Sequence, residues 1–276
     1  MQLSISSLKL VMPGGREALA GVTLNVARGE RVAIVGPSGA GKTSLLRVLG
    51  AALRPTTGAI EIDGADPWSL RREALRHLRA RIGMIHQSPP LPQRQRLVTS
   101  VLAGRLGAWG FWKGLRSLVY PADIAGARDA LARLDLAERL FDRCGRLSGG
   151  ELQRVGVARV LYQMPELILA DEPVSALDPK LSHQTVGELN RDAMSRGVTL
   201  VASLHSVDLA LKWFPRIVGL NDGVVAFDAP PVRVSDAMLR ELYQAETEVI
   251  PTQDLKPLEH PEAGPRPAVR SQPLCR

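Results

Sequence analysis

Gly36-Pro37-Ser38-Gly39-Ala40-Gly41-Lys42-Thr43 is the stretch that decides the fold. It fits the G-x-x-x-x-G-K-[ST] phosphate loop at every specified position. The β-branched run before it, Arg31 to Val35 (RVAIV), predicts a buried strand. The run after it, Thr43 to Leu49 (TSLLRVL), predicts a helix that ends at Gly50. A strand, a Gly-rich turn and a helix start gather backbone N–H groups around one point, at the positive end of a helix dipole. Gly36, Gly39 and Gly41 allow the backbone the unusual dihedrals of a close approach to phosphate, with Pro37, Ser38, Ala40 and Ser44 completing the cradle. Lys42 offers a point charge to the β- and γ-phosphates, and the Thr43 hydroxyl offers an oxygen to Mg2+. A plain Gly-rich connector would account for the glycines alone. A chance match to the whole pattern in a chain this long is on the order of one per cent. The stretch implies a bound nucleoside triphosphate.

Working outward, 276 residues are enough for a large core in one or two domains. No apolar run approaches the roughly 18 residues needed to cross a bilayer, and MQLSISSLKL lacks the pattern of a secretory signal. Cys144 and Cys275 have no metal-ligand spacing, which fits a reduced, cytosolic chain. The net charge of +7 is compatible with nucleic acid, an anionic leaflet or an acidic partner. Arg71, Arg72, Arg76, Arg79 and Arg81, however, have the spacing of a solvated helix face. With no zinc-finger spacing and no aromatic-plus-basic RNA motif, no nucleic-acid partner is expected.

Taken in order, the chain predicts strands at Leu3 to Leu10, Ala20 to Val26, Ala59 to Asp63 (an edge), Ile82 to Ile85, Leu167 to Ala170 and Val198 to Leu204. Asn221-Asp222-Gly223 predicts a hairpin between Ile217 to Leu220 and Val224 to Phe227. Helices are expected at Leu70 to Arg79, Ile124 to Leu134, Leu152 to Tyr162, Thr185 to Met194, and Asp236 to Ala245 behind an N-cap at Ser235. Ser88 to Arg96 (SPPLPQRQR) cannot continue a regular element. The aromatic knot Trp109 to Gly114 (WGFWKG) reads as packing, with a membrane-protein contact as the alternative. Pro251 to Arg276 is Pro-rich and without apolar periodicity, the composition of a disordered tail.

Leu167-Ile-Leu-Ala-Asp171-Glu172 supplies what hydrolysis needs beyond a phosphate loop. Four apolar residues bury the strand, and Asp171 emerges at its carboxyl edge, where α/β sheets place ligands. Asp171 suits Mg2+, a hard cation with oxygen ligands, and Glu172 is placed to polarise an attacking water. A second Gly-rich helix start, Leu147-Ser148-Gly149-Gly150-Glu151, offers another anion nest. One chain has little need of two nests for one nucleotide. Two chains arranged head to tail would use both.

The phosphate loop, LSGGE at 147–151, ILADE at 168–172, Ser175-Ala-Leu-Asp178 and His205, in this order, resemble the ATPase subunit of an ATP-binding cassette (ABC) transporter over roughly residues 1 to 245. The fold this implies is α/β: a P-loop NTPase (RecA-like) core (1–87 and 166–245), an N-terminal antiparallel β subdomain, a helical insertion (88–165) and a tail (246–276). The resemblance implies ATP and Mg2+ as ligands, with Ser148, Gly149 and Gly150 completing the site of the partner copy. It implies that Asp178 connects the two sites, that His205 contacts the γ-phosphate, and that Gln87 senses Mg2+ while linking to a membrane permease. It places the chain on the cytoplasmic face of the inner membrane, served indirectly by an extracytoplasmic substrate-binding protein. Met12 stands where the family has an aromatic that stacks on adenine; a thioether packs there with less area. Glu151 replaces a commoner glutamine.

Val101 to Gly107, Ala170 to Val174 and Leu204 to Ala210 are most similar to the ATPase of phosphonate importers. His86 and Ser88-Pro-Pro-Leu-Pro depart from that pattern where the family meets its permease. An importer motor for phosphonate or a related oxyanion is the reading implied. An ATPase serving a soluble phosphonate-degrading assembly, or a regulatory complex such as one tied to cell division, is the alternative.

Overall fold

The computed structural model describes residues 1–109 and 122–247. The aromatic knot beyond Trp109 and the tail after residue 247 lie outside the described residues. Two sheets organise the rest. A three-stranded antiparallel sheet has the order β2-β1-β4, from β1 (Leu3–Val11), β2 (Glu17–Val26) and β4 (Thr57–Ile62). A six-stranded sheet has the order β5-β6-β7-β3-β8-β9, from β3 (Arg31–Val35), β5 (Ile82–Ile85), β6 (Leu167–Asp171), β7 (Thr199–Ser203), β8 (Arg216–Asn221) and β9 (Val224–Ala229). Five of its strands run parallel, and β9 closes the edge as the antiparallel arm of the expected hairpin.

The parallel strands read as continuous apolar runs because both of their faces are covered. In β3, Val32 and Ile34 point into a core shared with α1 (Lys42–Leu49) and the antiparallel sheet. Ala33 and Val35 point into a second core, shared with the helices of the opposite face. In β6, Leu167 and Leu169 take the first side, Ile168 and Ala170 the second. Each fully buried aliphatic side chain contributes roughly 1.5–3 kcal/mol, so the sheet is held from both sides.

The helical insertion packs on the second core through α3 (Leu97–Leu102), α4 (Ile124–Ala132) and α5 (Gly149–Gln163). Ser88 to Arg96 forms no regular element, as its prolines dictate. Arg133, just past α4, ties the insertion to α6 (Pro179–Arg196) by donating to Glu188 at 2.6 Å and Asp192 at 2.9 Å. Helix α6 starts six residues before the predicted Thr185, because Asp178 caps it at 3.0 Å from Leu181 N and Pro179 occupies its first position. Helix α7 (Val207–Trp213), capped by Ser206, is too short for periodicity to announce it. Helix α2 (Arg72–Ala80) buries only Leu78 and carries arginines on its outer face, as their spacing predicts. Helix α8 (Asp236–Thr247) follows Ser235, whose Oγ accepts from Met238 N. Among the described residues no helix is long and apolar enough to cross a membrane.

Candidate functional site

The strand order β5-β6-β7-β3 gathers the carboxyl ends of four neighbouring parallel strands at one edge. Those ends are Gln87, Asp171–Glu172, Leu204–His205 and the phosphate loop, residues from four distant parts of the chain. Of these, Gln87, Glu172, His205 and the phosphate loop line a cleft of about 550 Å³, a volume within the range of small-molecule sites, together with Met12, Arg16 and Ala18.

The loop's shape depends on its glycines. Gly36 (φ 153°) lies so close to β8 that a Cβ would sit 2.0 Å from Leu220 O. Gly41 (φ 101°) is equally confined, with Ala18 O 2.4 Å from where a Cβ would stand. The loop is thus clamped between β8 and β2, and Gly223 N donates to Ala40 O at 3.1 Å to hold its other side. Within this frame the buried Lys42 ammonium donates to Gly36 O at 2.7 Å and Pro37 O at 2.9 Å. Its charge is fixed at the mouth of the loop, beside the N-terminus of α1.

Asp171 is buried, and its Oδ1 accepts from Thr43 Oγ1 at 3.0 Å and from Ser203 Oγ at 2.9 Å. A hydroxyl from the loop helix and a carboxylate from β6 therefore share one point. Hard oxygen donors in this number suit Mg2+, which takes one or two protein groups and draws the remainder from phosphate and water. Glu172 follows with φ 44°, a left-handed conformation that costs a non-glycine residue about 1–2 kcal/mol. Its N–H is held by Ser203 Oγ at 3.0 Å, and its Oε2 accepts from Gln87 Nε2 at 2.9 Å. His205 is exposed on the cleft wall. Just past β5, outside the cleft lining, burial lowers the pKa of His86, opposed by the nearby Asp171 carboxylate.

Of the residues expected from sequence, Met12, Ser38, Gly39, Ala40, Gly41, Lys42, Thr43, Ser44, Gln87, Glu172 and His205 line the cleft. Gly36, Pro37 and Asp171 stand behind its wall. Ser148, Gly149, Gly150 and Asp178 do not line the cleft of their own chain. Ser148 caps α5 in a reciprocal box with Glu151: Ser148 Oγ accepts from Glu151 N at 3.3 Å and Glu151 Oε2 from Ser148 N at 2.8 Å. That backbone donor, reinforced by Arg139, holds the Glu151 carboxyl below the usual range. Ser148 and Gly149 are exposed, so this nest faces outward.

Three participants carry no motif. Arg16 donates to Gly39 O at 3.3 Å and lines the cleft beside Met12. Ser203 pins Asp171 and Glu172 together; its signal is a hydroxyl at the carboxyl end of a buried strand. Gln153, buried on α5, reaches the main chain of both Gln87 and Glu172. Its signal is a polar residue on the stripe of Val157, Val160 and Leu161.

The geometry meets known proteins at this point. The ABC transporter family matches residues 19–175, which hold the loop, the LSGGE nest and the Asp171–Glu172 strand end. The chain is 58% identical over 280 residues to the phosphonates import ATP-binding protein PhnC 1 of Cupriavidus necator, with both chains covered in full. It is 57% identical over 277 residues to the protein of the same name in Pseudomonas aeruginosa, again over both full lengths. Among solved structures it resembles a dimeric ATP-binding cassette in a post-hydrolysis state bound to ADP and Pi, at TM-score 0.71 and 29% identity, over 83% of this chain and 98% of that one. The chain belongs to the ABC transporter family and is one of its ATP-hydrolysing cassettes.

Proposed function

We propose that this cassette is the motor subunit of an importer that takes up phosphonate or a related oxyanion through a membrane permease. Similarity over the full length to proteins named for phosphonate import carries the reading. The outward placement of the Ser148–Gly150 nest supports a head-to-tail pair, in which each copy completes the other's nucleotide site.

In this reading the phosphate loop and Lys42 hold the β- and γ-phosphates by backbone N–H groups and one fixed charge. Thr43 and Asp171 hold Mg2+, with Gln87 beside it; when bound, the ion neutralises charge on the phosphate oxygens. Glu172 takes a proton from the attacking water, aimed by the Gln87 amide on its Oε2. Ser148 and Gly150 of the partner copy and His205 face the γ-phosphate, and Asp178 joins the two sites. Met12 and Arg16 flank the base. Positioning and electrostatics carry the rate. The core is formed by 1–87 and 166–245, with 88–165 as the helical arm facing the permease. The working location is the cytoplasmic face of the membrane, with an extracytoplasmic binding protein delivering the ligand.

Affinity purification from membranes tests this, with ATP turnover followed as phosphonates and their binding protein are added. Co-purification of a permease and stimulation by a phosphonate are expected. A soluble enzyme assembly in place of a permease would overturn the importer reading.

A further inference from the structure

Gln153 is 1% exposed, and every polar atom of its side chain is engaged. Its Nε2 donates to Gln87 O at 3.0 Å, Glu172 O at 3.3 Å and Ser175 Oγ at 2.8 Å, and its Oε1 accepts from Ala176 N at 2.9 Å. A primary amide has two N–H groups, so three acceptors around Nε2 mean that one hydrogen is shared. The residue lies one turn before Val157 on the buried stripe of α5, where an apolar side chain would simply extend the packing. Gly150, on the same face, sits so close to the following turn that a Cβ would meet Ala176 O at 2.7 Å. The first turn of α5 is therefore seated directly on residues 175–177.

Two of these bonds fall on residues whose side chains meet. Gln87 and Glu172 touch each other at 2.9 Å through their side chains, and both present their main-chain carbonyls to one amide. Glu172 holds a strained φ of 44°, and such a conformation persists only when its surroundings over-determine it. Ser203 pins the N–H side of that residue, and Gln153 pins the carbonyl side.

We infer that Gln153 is a positioning residue: it sets the Gln87–Glu172 geometry and fixes it to the opening of α5. In consequence one chain's Ser148–Gly150 nest and its own Glu172, which serve different nucleotides in the reading above, shift as one unit. The inference rests on that reading.

The test uses the full chain with Gln153→Met, which keeps length and removes every polar contact, alone and combined with Gln87→Ala. The expected result is a folded variant whose ATP affinity stays near native while kcat falls roughly 10- to 100-fold. Because both changes act through Glu172, the double variant should be no slower than the slower single one. Gln153→Glu is the second variant. It keeps an acceptor for Ala176 N but turns oxygen toward the carbonyls of Gln87 and Glu172, and should lose kcat as fully. Native kcat in either folded variant would overturn the inference. So would losses that multiply in the double variant, or parallel losses of ATP affinity and melting temperature, which mark a merely structural role. A native chain with no ATP turnover would overturn the functional reading itself, and this inference with it.

Discussion

Gln87 Nε2 lies 2.9 Å from Glu172 Oε2, joining the end of β5 to the end of β6 across the mouth of the cleft. The bond engages one carboxylate oxygen, and in the proposed mechanism the other takes the proton of the attacking water. Glu172→Gln keeps the side chain's shape and removes its basicity, so ATP should bind with near-native affinity while kcat falls about 10²- to 10⁴-fold. Gln87→Ala releases the carboxylate without removing it, and its loss should be the smaller of the two. Steady-state turnover and equilibrium nucleotide binding on both variants check the order.

Gly36→Ala should abolish the fold around the loop, because a Cβ there would sit 2.0 Å from Leu220 O and neither backbone can yield. The expected destabilisation is about 3 kcal/mol or more. Gly197→Ala is the control. Its φ is 64° but nothing lies within 4 Å of the new Cβ, so the cost should be only about 1 kcal/mol. Urea midpoints of the two variants should separate clearly.

Arg133→Ala should loosen the helical insertion from α6. Fully buried ion pairs lose about 3–5 kcal/mol when one partner goes. Here Glu188 keeps Arg191 and Asp192 keeps Arg196, and the Arg133 side chain is 34% exposed. The expected cost is therefore reduced to about 2 kcal/mol. Thermal unfolding gives the number, and ATP affinity should stay unchanged.

Glu151 makes a pH-dependent contribution. Its folded pKa is lowered, chiefly by Ser148 N–H and then by Arg139, so the unfolded chain takes up protons first as the solution is acidified. The stabilisation is complete above the unfolded pKa of about 4.3 and is lost as pH falls through the lower folded value. Glu151→Gln keeps the reciprocal cap but loses the charge attraction to Arg139. It should be less stable than native by about 0.5–1 kcal/mol at pH 7. The gap should narrow as pH falls below the unfolded value of about 4.3 and close once pH is below the lower folded value. Denaturant curves at pH 7 and across this acid range decide it.

The sheet was legible because its strands are buried on both faces: RVAIV at 31–35 and LILA at 167–170 have no other environment available. The phosphate loop and Asp171–Glu172 were legible because their chemistry demands fixed residue types at fixed spacing. Capping set the limits elsewhere. Periodicity placed the start of α6 at Thr185, whereas Asp178 and Pro179 start it, and the short α7 begins at the Ser206 cap. Arg16, Ser203 and Gln153 escaped for another reason. Their roles come from strand order and helix seating, which bring residues 16 to 39, 203 to 171 and 153 to 87 together only in three dimensions.

The claim on which the account rests is that the Ser148–Gly150 nest serves the nucleotide of a second copy. Mixing two disabled full-length chains, Lys42→Ala and Ser148→Arg, tests it directly. Each alone should be nearly inactive, since every site in its dimer lacks one half. Mixed in equal amounts they should recover roughly a quarter of native turnover, because half of the dimers are mixed and each of those holds one intact site. A mixture as inactive as its components would contradict the account.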